Sequence, residues 1–243
     1  AIVLRARKRA METPDAPLII GVDPAGNGGD RFAVVWRRGD KVIKVQTRNK
    51  LEHDDAVAWL ARIIDEDRPE RMCVDRGSMG ANIISSLRNQ SPRYAAIVKG
   101  IDFAATSKAK AAHPKRSGPW NRRAEIWSDL RDWLKEGGCI PDNDELASDI
   151  SAPKEKFRAN NDWLLESKVD MKARQVRSPD LADALALTFA VKEFFATWGK
   201  PKADIGFENG IDRHMEGHNG GPPLDDYGSG YDPLEGSDYG WMG

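Results

Sequence analysis

Two aspartates follow short apolar runs at positions where strands are expected to end. Asp23 closes the run LIIGV before a Gly-rich turn, and Asp75 closes the run MCV shortly before Gly77. If these runs are neighbouring strands of one sheet, both carboxylates emerge at the same edge, where ligands bind in open α/β sheets. Taken singly, each residue is more typical of a turn than of a binding site, because Asp at a strand end before Pro or Gly usually serves a turn.

Two further aspartates lie in the segment SPDLADALALTFA, whose apolar spacing predicts a helix. Asp180 and Asp183 are three residues apart, so one helix face can present both. Asp180 could simply stabilise this helix, because a negative side chain interacts favourably with the positive N-terminal end of a helix. Asp183 lies deeper, flanked by Leu and Ala, and this explanation does not account for it.

Carboxylates that converge at one point repel one another, so a cluster persists only if protons or cations neutralise it. No His or Cys pattern accompanies these aspartates in the sequence, so all ligands would be oxygens, which favours Mg²⁺ or Mn²⁺. Two such ions about 3.5–4 Å apart can drive hydrolysis of a phosphodiester. The candidate metal-binding and catalytic residues are Asp23, Asp75, Asp180 and Asp183.

The elements that must position these aspartates follow an α/β pattern. Residues 17–102 predict three strands, a helix, a strand, a helix and a final strand over 94–102, with a hairpin turn at Gly39 and Asp40. The rest predicts a basic loop over 104–119, a helix over 121–138, a strand pair within 141–170 and a last helix over 178–198. The predicted fold class is a mixed central sheet flanked by helices.

Composition divides the 243-residue chain into three parts. Residues 1–16 are basic and then broken by proline, which indicates a linker or the added start of an expressed fragment. Residues 17–199 are predicted to form the folded domain. Residues 200–243 carry 3 Lys and Arg against 9 Asp and Glu and are rich in Gly and Pro, which predicts a disordered acidic tail.

Composition also narrows the class of protein. No apolar run approaches the roughly 18 residues of a membrane span, so no membrane partner is expected. The two cysteines lack metal-site spacing, which indicates reduced thiols in a cytosolic protein.

Basic residues gather in the predicted loop and shortly after it. Lys and Arg side chains that face phosphates would bind duplex DNA, and a solvated loop without a ligand is the alternative. Arg122 and Arg123 could instead anchor their own helix. The predicted DNA-binding residues are Lys108, Lys110, Lys115, Arg116, Arg122, Arg123, Lys154 and Lys156.

The order of these features resembles the RNase H-like nuclease superfamily and, more narrowly, the C-terminal nuclease domain of the large terminase subunit of tailed phages. The segments that carry the resemblance are IIGVDPAGNGGDRFAVV, MCVDRGSMGANIISSLR, NRRAEIWSDLRDWLKEG, ISAPKEKFRANNDWLLESKVDMKAR and VRSPDLADALALTFA, which span about residues 18–192. The resemblance implies an RNase H-like sheet and a metal-dependent endonuclease that cuts concatemeric viral DNA during genome packaging.

The resemblance also implies roles for single residues. Asp23 and Asp75 would be ligands shared between two divalent ions, Mg²⁺ or Mn²⁺. The third ligand would be Asp183 or, as in other relatives, Asp180, and we favour Asp183 as the more buried of the two. Asp30 would be an additional acidic residue near the metals, although a turn role is at least as consistent with its position.

The partners implied by the resemblance are double-stranded DNA, the terminase ATPase domain in the same or a separate chain, the portal protein and the small terminase subunit. The implied location is the cytoplasm of an infected bacterium, transiently at the procapsid portal. The chain lacks the G-x-x-x-x-G-K-[ST] loop of the packaging ATPase, so no ATPase activity is expected from it.

Other functions are compatible with the same predicted fold. A junction resolvase would act on branched DNA, and an RNase H must recognise 2′-hydroxyls. A non-catalytic module that docks onto a packaging motor through its acidic tail is a further alternative.

Overall fold

The computed structural model describes residues 1–10, 15–24, 31–77 and 79–192, which build a five-stranded sheet between two layers of helices. The strands are β1 (Leu18–Asp23), β2 (Phe32–Arg38), β3 (Lys41–Arg48), β4 (Arg71–Asp75) and β5 (Val98–Ile101), in the spatial order β3-β2-β1-β4-β5. The first three strands pair antiparallel, whereas β4 is parallel to both β1 and β5. The predicted mixed sheet is therefore confirmed.

Each face of the sheet buries its own apolar core, because successive strand residues point to opposite sides. Ile19 lies in the core shared with helices α6 (Arg122–Glu136) and α9 (Asp180–Leu187). Ile20 lies in the opposite core, with α2 (His53–Asp67) and α3 (Gly80–Gln90). All six residues of β1 are buried, as expected for a central strand that is covered on both faces.

Helix α9 approaches strand β1 closely at Gly21. A Cβ atom on this residue would lie only 1.8 Å from the backbone oxygen of Ala184, so any side chain would displace the helix. The missing side chain of Gly21 therefore sets the spacing between the sheet and the helix that carries Asp180 and Asp183.

The N-terminal segment 1–16, predicted as a linker, includes a helix, α1 (Ile2–Arg7). Ala6 is fully buried in the core shared with α6, and Arg7 forms ion pairs with Asp142 and Asp144. The proline that suggested a linker comes after this helix in the chain. Residues 200–243 lie outside the described residues, so the disordered tail remains a prediction.

The predicted strand over 94–102 is wrong in its first part, where helix α4 (Pro92–Ile97) precedes β5. The Ser91 hydroxyl accepts a hydrogen bond from the backbone N–H of Tyr94, and proline is favourable in the first helical turn. This local cap outweighs the β-forming residues that suggested a longer strand.

Short helices also form in the predicted loop 104–119 and in the region 141–170, where a strand pair was predicted. Helix α5 (Lys108–Ala112) lies within the predicted loop 104–119. The region 141–170 forms α7 (Asp144–Ser151) and then the expected strand pair, β6 (Glu155–Phe157) with β7 (Trp163–Leu165), and α8 (Lys168–Ala173) follows. The described part of the last predicted helix is α9, and residues 193–198 lie outside the described residues.

Within the described residues, no helix combines the length and apolar character needed to span a membrane.

Candidate metal centre

The two strand-end aspartates lie side by side, as predicted. The parallel register of β1 and β4 pairs Val22 with Val74, so Asp23 and Asp75 are the next residues of adjacent strands. Helix α9 packs against β1 and brings Asp180 and Asp183 to the same edge of the sheet. All four candidate carboxylates therefore converge from three separate segments of the chain.

A lysine that the sequence analysis did not identify lies among these carboxylates. Lys168, the first residue of α8, places its Nζ atom 3.1 Å from Oδ2 of Asp23 and 3.2 Å from Oδ1 of Asp180. Oδ2 of Asp183 lies 4.0 Å from the same nitrogen. Lys168 belongs to the segment ESKVDMKAR, but no spacing rule links it to the aspartates, so only the folded chain reveals the contact.

Burial and mutual repulsion shift the proton equilibria of this cluster. Burial raises the pKa of Asp23 well above its ordinary value, and the three neighbouring aspartates raise it further, whereas Lys168 lowers it. Burial also raises the pKa of Asp75, although the backbone N–H of Gly77 opposes this effect. Burial alone would lower the pKa of Lys168, but the surrounding carboxylates outweigh it and raise that pKa, so the side chain remains a cation.

A second cation holds Asp183. Arg123 donates from Nε to Oδ1 at 2.9 Å and from Nη2 to Oδ2 at 3.0 Å, and Trp127 Nε1 donates to Oδ1 at 2.8 Å. The remaining Arg123 nitrogen, Nη1, donates to the backbone oxygen of Glu166 at 3.1 Å. Arg123 was predicted to contact DNA, but its guanidinium is instead committed to a buried carboxylate in the geometry of a strong bidentate pair.

Asp180 has a different set of partners. The Ser178 hydroxyl donates to Oδ1 at 2.6 Å, and the backbone N–H of Arg31 donates to Oδ2 at 3.2 Å. The Arg31 guanidinium is more distant, with Nε 4.0 Å from Oδ2. Asp180 and Asp183 are 1% and 0% exposed, so burial does not distinguish them as the sequence interpretation assumed.

A further aspartate follows the third parallel strand. Asp102 comes directly after β5, and its charge contributes to the raised pKa of Asp75. The strand-end pattern that identified Asp23 and Asp75 could have found it. Asp30, by contrast, lies outside the described residues, so its predicted place near the metals stays a prediction.

In the arrangement described here, no three His, Cys, Asp or Glu groups of the described residues form a ready-made metal site. Lys168 and Arg123 offset part of the negative charge of the cluster. The arrangement is therefore a set of oxygen donors, buried except for the half-buried Asp75, with its own internal cations.

Two more of the predicted DNA-binding residues have structural partners. The Lys110 ammonium lies 2.8 Å from Oδ2 of the fully buried Asp162, which ties α5 to the β6–β7 hairpin. Arg122 is buried, pairs with Glu125 and donates to the backbone oxygen of Ala190 at 2.6 Å. These two side chains, like Arg123, hold the domain together.

The remaining predicted DNA-binding residues lie on the surface. Lys156 forms an exposed ion pair of 2.5 Å with Asp170. The exposed residues of the predicted set are Lys108, Lys115, Arg116, Lys154 and Lys156.

The loop and the hairpin form one surface. The backbone N–H of Trp120 donates to the oxygen of Trp163, and the N–H of Trp163 donates to the oxygen of Gly118. Arg158 lies 4.0 Å above the Trp120 ring, and Phe157 beside it is 68% exposed. Exposed aromatic and basic side chains in this combination are typical of nucleic-acid contacts.

The fold of this chain is similar to that of solved nuclease domains of phage large terminase subunits. The nuclease domain of the large terminase subunit gp2 of bacterial virus Sf6 has a TM-score of 0.65 at 19% identity, over 77% of this chain and 96% of that chain. The large terminase nuclease from thermophilic phage G20c has a TM-score of 0.52 at 14% identity, over 75% of this chain and 90% of that chain. The fold implied by the sequence resemblance is thereby confirmed.

Related structures of the same proteins are described with metal ions. A K428A mutant of the Sf6 nuclease domain is described with manganese, with a TM-score of 0.64 at 18% identity over 77% of this chain and 96% of that chain. The G20c nuclease is described with bound magnesium, with a TM-score of 0.51 at 14% identity over 75% of this chain and 89% of that chain. No family profile and no curated protein sequence matches the present chain.

Proposed function

We propose that this protein is a metal-dependent DNA endonuclease that cuts concatemeric viral DNA as the nuclease of a packaging terminase. The proposal is carried by one observation: four carboxylates come together at one edge of the sheet, and the ammonium of Lys168 lies within 4.0 Å of three of them, Asp23, Asp180 and Asp183. The solved structures of the same fold support it, since they are described as large terminase nucleases, some with manganese or magnesium.

The donor set fits hard divalent cations. Buried carboxylate oxygens without thiolate or imidazole neighbours are the ligands that Mg²⁺ and Mn²⁺ prefer. Two such cations, when bound, would supply a nucleophilic water at neutral pH and stabilise the leaving oxygen of the phosphodiester. Asp23 and Asp75 would help to hold them, because these residues lie side by side on parallel strands.

The hydrogen bonds made by Asp180 and Asp183 support Asp180 as the third metal ligand. Both oxygens of Asp183 already accept strong hydrogen bonds from Arg123, and Oδ1 accepts another from Trp127. Among the described residues, the hydrogen bonds to Asp180 besides that of Lys168 come from a hydroxyl and a backbone amide. Asp183 would then act mainly by fixing Arg123 and adding negative charge, which reverses the order that burial suggested from the sequence.

Lys168 would keep the carboxylates together until cations bind. Its side chain is 34% exposed, so it can turn towards solvent without crossing the core. The released ammonium would then lie at the mouth of the site, where it can contact a substrate phosphate. Lys168 would thus exchange its carboxylate partners for a substrate phosphate when divalent cations and DNA bind.

DNA would bind along the loop and hairpin surface. Exposed Lys115, Arg116 and Lys154 would contact phosphates, and Phe157 with Arg158 would contact sugar or base surfaces. As a terminase nuclease, the protein would work with an ATPase domain, a portal protein and a small terminase subunit. It would act in the cytoplasm of the infected bacterium and transiently at the procapsid portal.

Nicking of supercoiled plasmid with Mg²⁺ or Mn²⁺ tests the proposal. Wild-type protein should cleave only with a divalent ion, and Asp23→Asn and Asp75→Asn should each abolish cleavage while the exposed Glu66→Gln on α2 retains it. Duplex DNA should be cut in preference to four-way junctions and RNA–DNA hybrids, and no ATP should be hydrolysed. Metal-independent cleavage, or full activity in both aspartate variants, would refute the assignment.

A further inference from the structure

A basic surface that the sequence analysis did not identify surrounds the edge strand β5. We define this β5 basic surface by Arg76, Arg88 and Lys99. Arg76 follows Asp75 directly, Arg88 belongs to α3, and Lys99 is the second residue of β5. A cavity of about 330 Å³ opens here, and the polar and basic part of its lining consists of Arg76, Ser85, Arg88 and Asn89.

Arg76 is fixed between the acidic cluster and this cavity. Its backbone N–H donates to the oxygen of Ile101 at 2.8 Å, and its side-chain stem lies across Gly100. A Cβ atom on Gly100 would lie 3.1 Å from Cγ of Arg76, so the glycine leaves room for this path. A ligand that reaches Asp75 from this side therefore passes a guanidinium group.

Two of the three cations of this surface form no ion pair within the described part of the chain. Arg88 donates from Nε and Nη2 to the backbone oxygen of Val98, at 3.2 and 2.9 Å, which holds its guanidinium at the strand edge. Arg76 and Lys99 form no ion pair with any described residue. Burial lowers the pKa of Lys99, and the positive charges of Arg71 and Arg88 lower it further.

We propose that the β5 basic surface binds backbone phosphates of duplex DNA next to the phosphodiester held at the acidic cluster. The proposal rests on the nuclease function proposed above and adds a second contact region, separate in sequence from the 104–119 loop. Cations together with Ser and Asn side chains are the groups that position DNA through its phosphates. Basic side chains on an edge strand can also simply prevent strand pairing, and the experiment must separate these roles.

Binding of a short fluorescein-labelled duplex to the full chain, measured by anisotropy in EDTA, tests this proposal without cleavage. The double variant Arg76→Ala/Lys99→Ala should weaken binding about tenfold and lower the slope of log affinity against log salt by about 2 between about 50 and 200 mM salt. The matched control is Arg62→Ala/Lys135→Ala, which removes the same charge from exposed positions on α2 and α6. It should change affinity less than twofold.

Equal DNA affinity and equal salt dependence of the two double variants would overturn the inference, whatever the plasmid assay shows. Thermal melting verifies that each variant is folded, and the single variant Lys99→Glu, which should weaken binding further, replaces the double variant if that one melts early. Concentration-dependent self-association of the variants without loss of affinity would assign the surface to edge protection instead. The wild-type protein could also bind DNA through the β5 basic surface and yet never cleave it. That result would contradict only the proposed nuclease function.

Discussion

The Nζ atom of Lys168 lies 3.1 Å from Oδ2 of Asp23, although 145 positions separate the two residues in the chain. The same nitrogen contacts Asp180 at 3.2 Å, so one ammonium joins the end of a central strand to the start of the last described helix. Removal of this cation would leave buried carboxylates facing one another. The site therefore carries an internal counter-ion at the position where external cations are proposed to act.

Replacing Lys168 with alanine should destabilise the metal-free protein and increase its response to Mn²⁺. Loss of one partner from a fully buried ion pair costs about 3–5 kcal/mol, and we expect about 1–3 here because the lysine is partly exposed. Calorimetry in EDTA should show a lower melting temperature, and added Mn²⁺ should restore it. Lys135→Ala, which breaks an exposed pair with Asp132, should have little effect in either condition. An equal Mn²⁺ response in wild type and Lys168→Ala would argue against a cation site at Lys168.

Arg123→Ala should be among the most destabilising substitutions on α6. It would leave the fully buried Asp183 carboxylate without its bidentate partner, which costs about 3–5 kcal/mol. Arg123→Lys keeps the charge but loses the fork geometry, so it should lie between alanine and wild type. Chemical denaturation measures these differences. Arg131→Ala on the same helix breaks exposed pairs and should cost less than about 1 kcal/mol, and a comparable loss there would contradict this assignment.

Asp75→Asn should stabilise the metal-free protein while it abolishes cleavage. Burial raises the pKa of Asp75, so this group favours folding below its unfolded pKa, and the benefit disappears as the pH rises through the folded pKa. At neutral pH the ionised carboxylate is therefore a cost, which the neutral amide removes. A gain of about 1 kcal/mol would raise the melting temperature by about 2–4 °C in a domain of this size. The gain should shrink at acidic pH, and a constant difference across pH would exclude this explanation.

Gly21→Ala should disturb the site without changing any charged group. The added methyl would collide with the backbone of Ala184, so α9 must shift away from β1. Overpacking of this kind costs about 1–3 kcal/mol, and the displaced helix should also weaken binding of divalent ions. Gly118→Ala is the matched control, because nothing lies within 4 Å of its added Cβ. Calorimetry and Mn²⁺ titration of both variants measure the effect; normal Mn²⁺ affinity in Gly21→Ala would show that this spacing is not critical.

We expect some basic side chains of the 104–119 loop to bind DNA and others to stabilise the fold. Lys115→Ala and Arg116→Ala should each lower DNA affinity and reduce the salt slope by about 1, with unchanged stability. Lys110→Ala should instead destabilise the fold, because it leaves the buried Asp162 without its ammonium partner. Parallel anisotropy and thermal melting separate the two effects. If Lys110→Ala melts like wild type and loses only DNA affinity, the structural role assigned to it is wrong.

Local patterns were sufficient to predict that Asp23, Asp75, Asp180 and Asp183 come together at one edge of the sheet. Asp23 and Asp75 each end an apolar run, and a parallel pairing of those runs necessarily places the two carboxylates at one edge. Asp180 and Asp183 share a helix face because of their spacing alone. Strand ends and helix periodicity depend on residues only a few positions apart, which is why the sequence carries this information directly.

The partners of these aspartates were decided only by the tertiary structure. Arg123 was predicted to bind DNA because it belongs to a basic stretch, yet packing of α6 against α9 turns it towards Asp183. Lys168 had no distinguishing neighbours in the sequence, yet α8 delivers it into the acidic cluster. Electrostatic pairing acts through space between segments that are remote in the chain. The sequence therefore determined which charged residues this protein carries. Only the tertiary structure determined which of them pair.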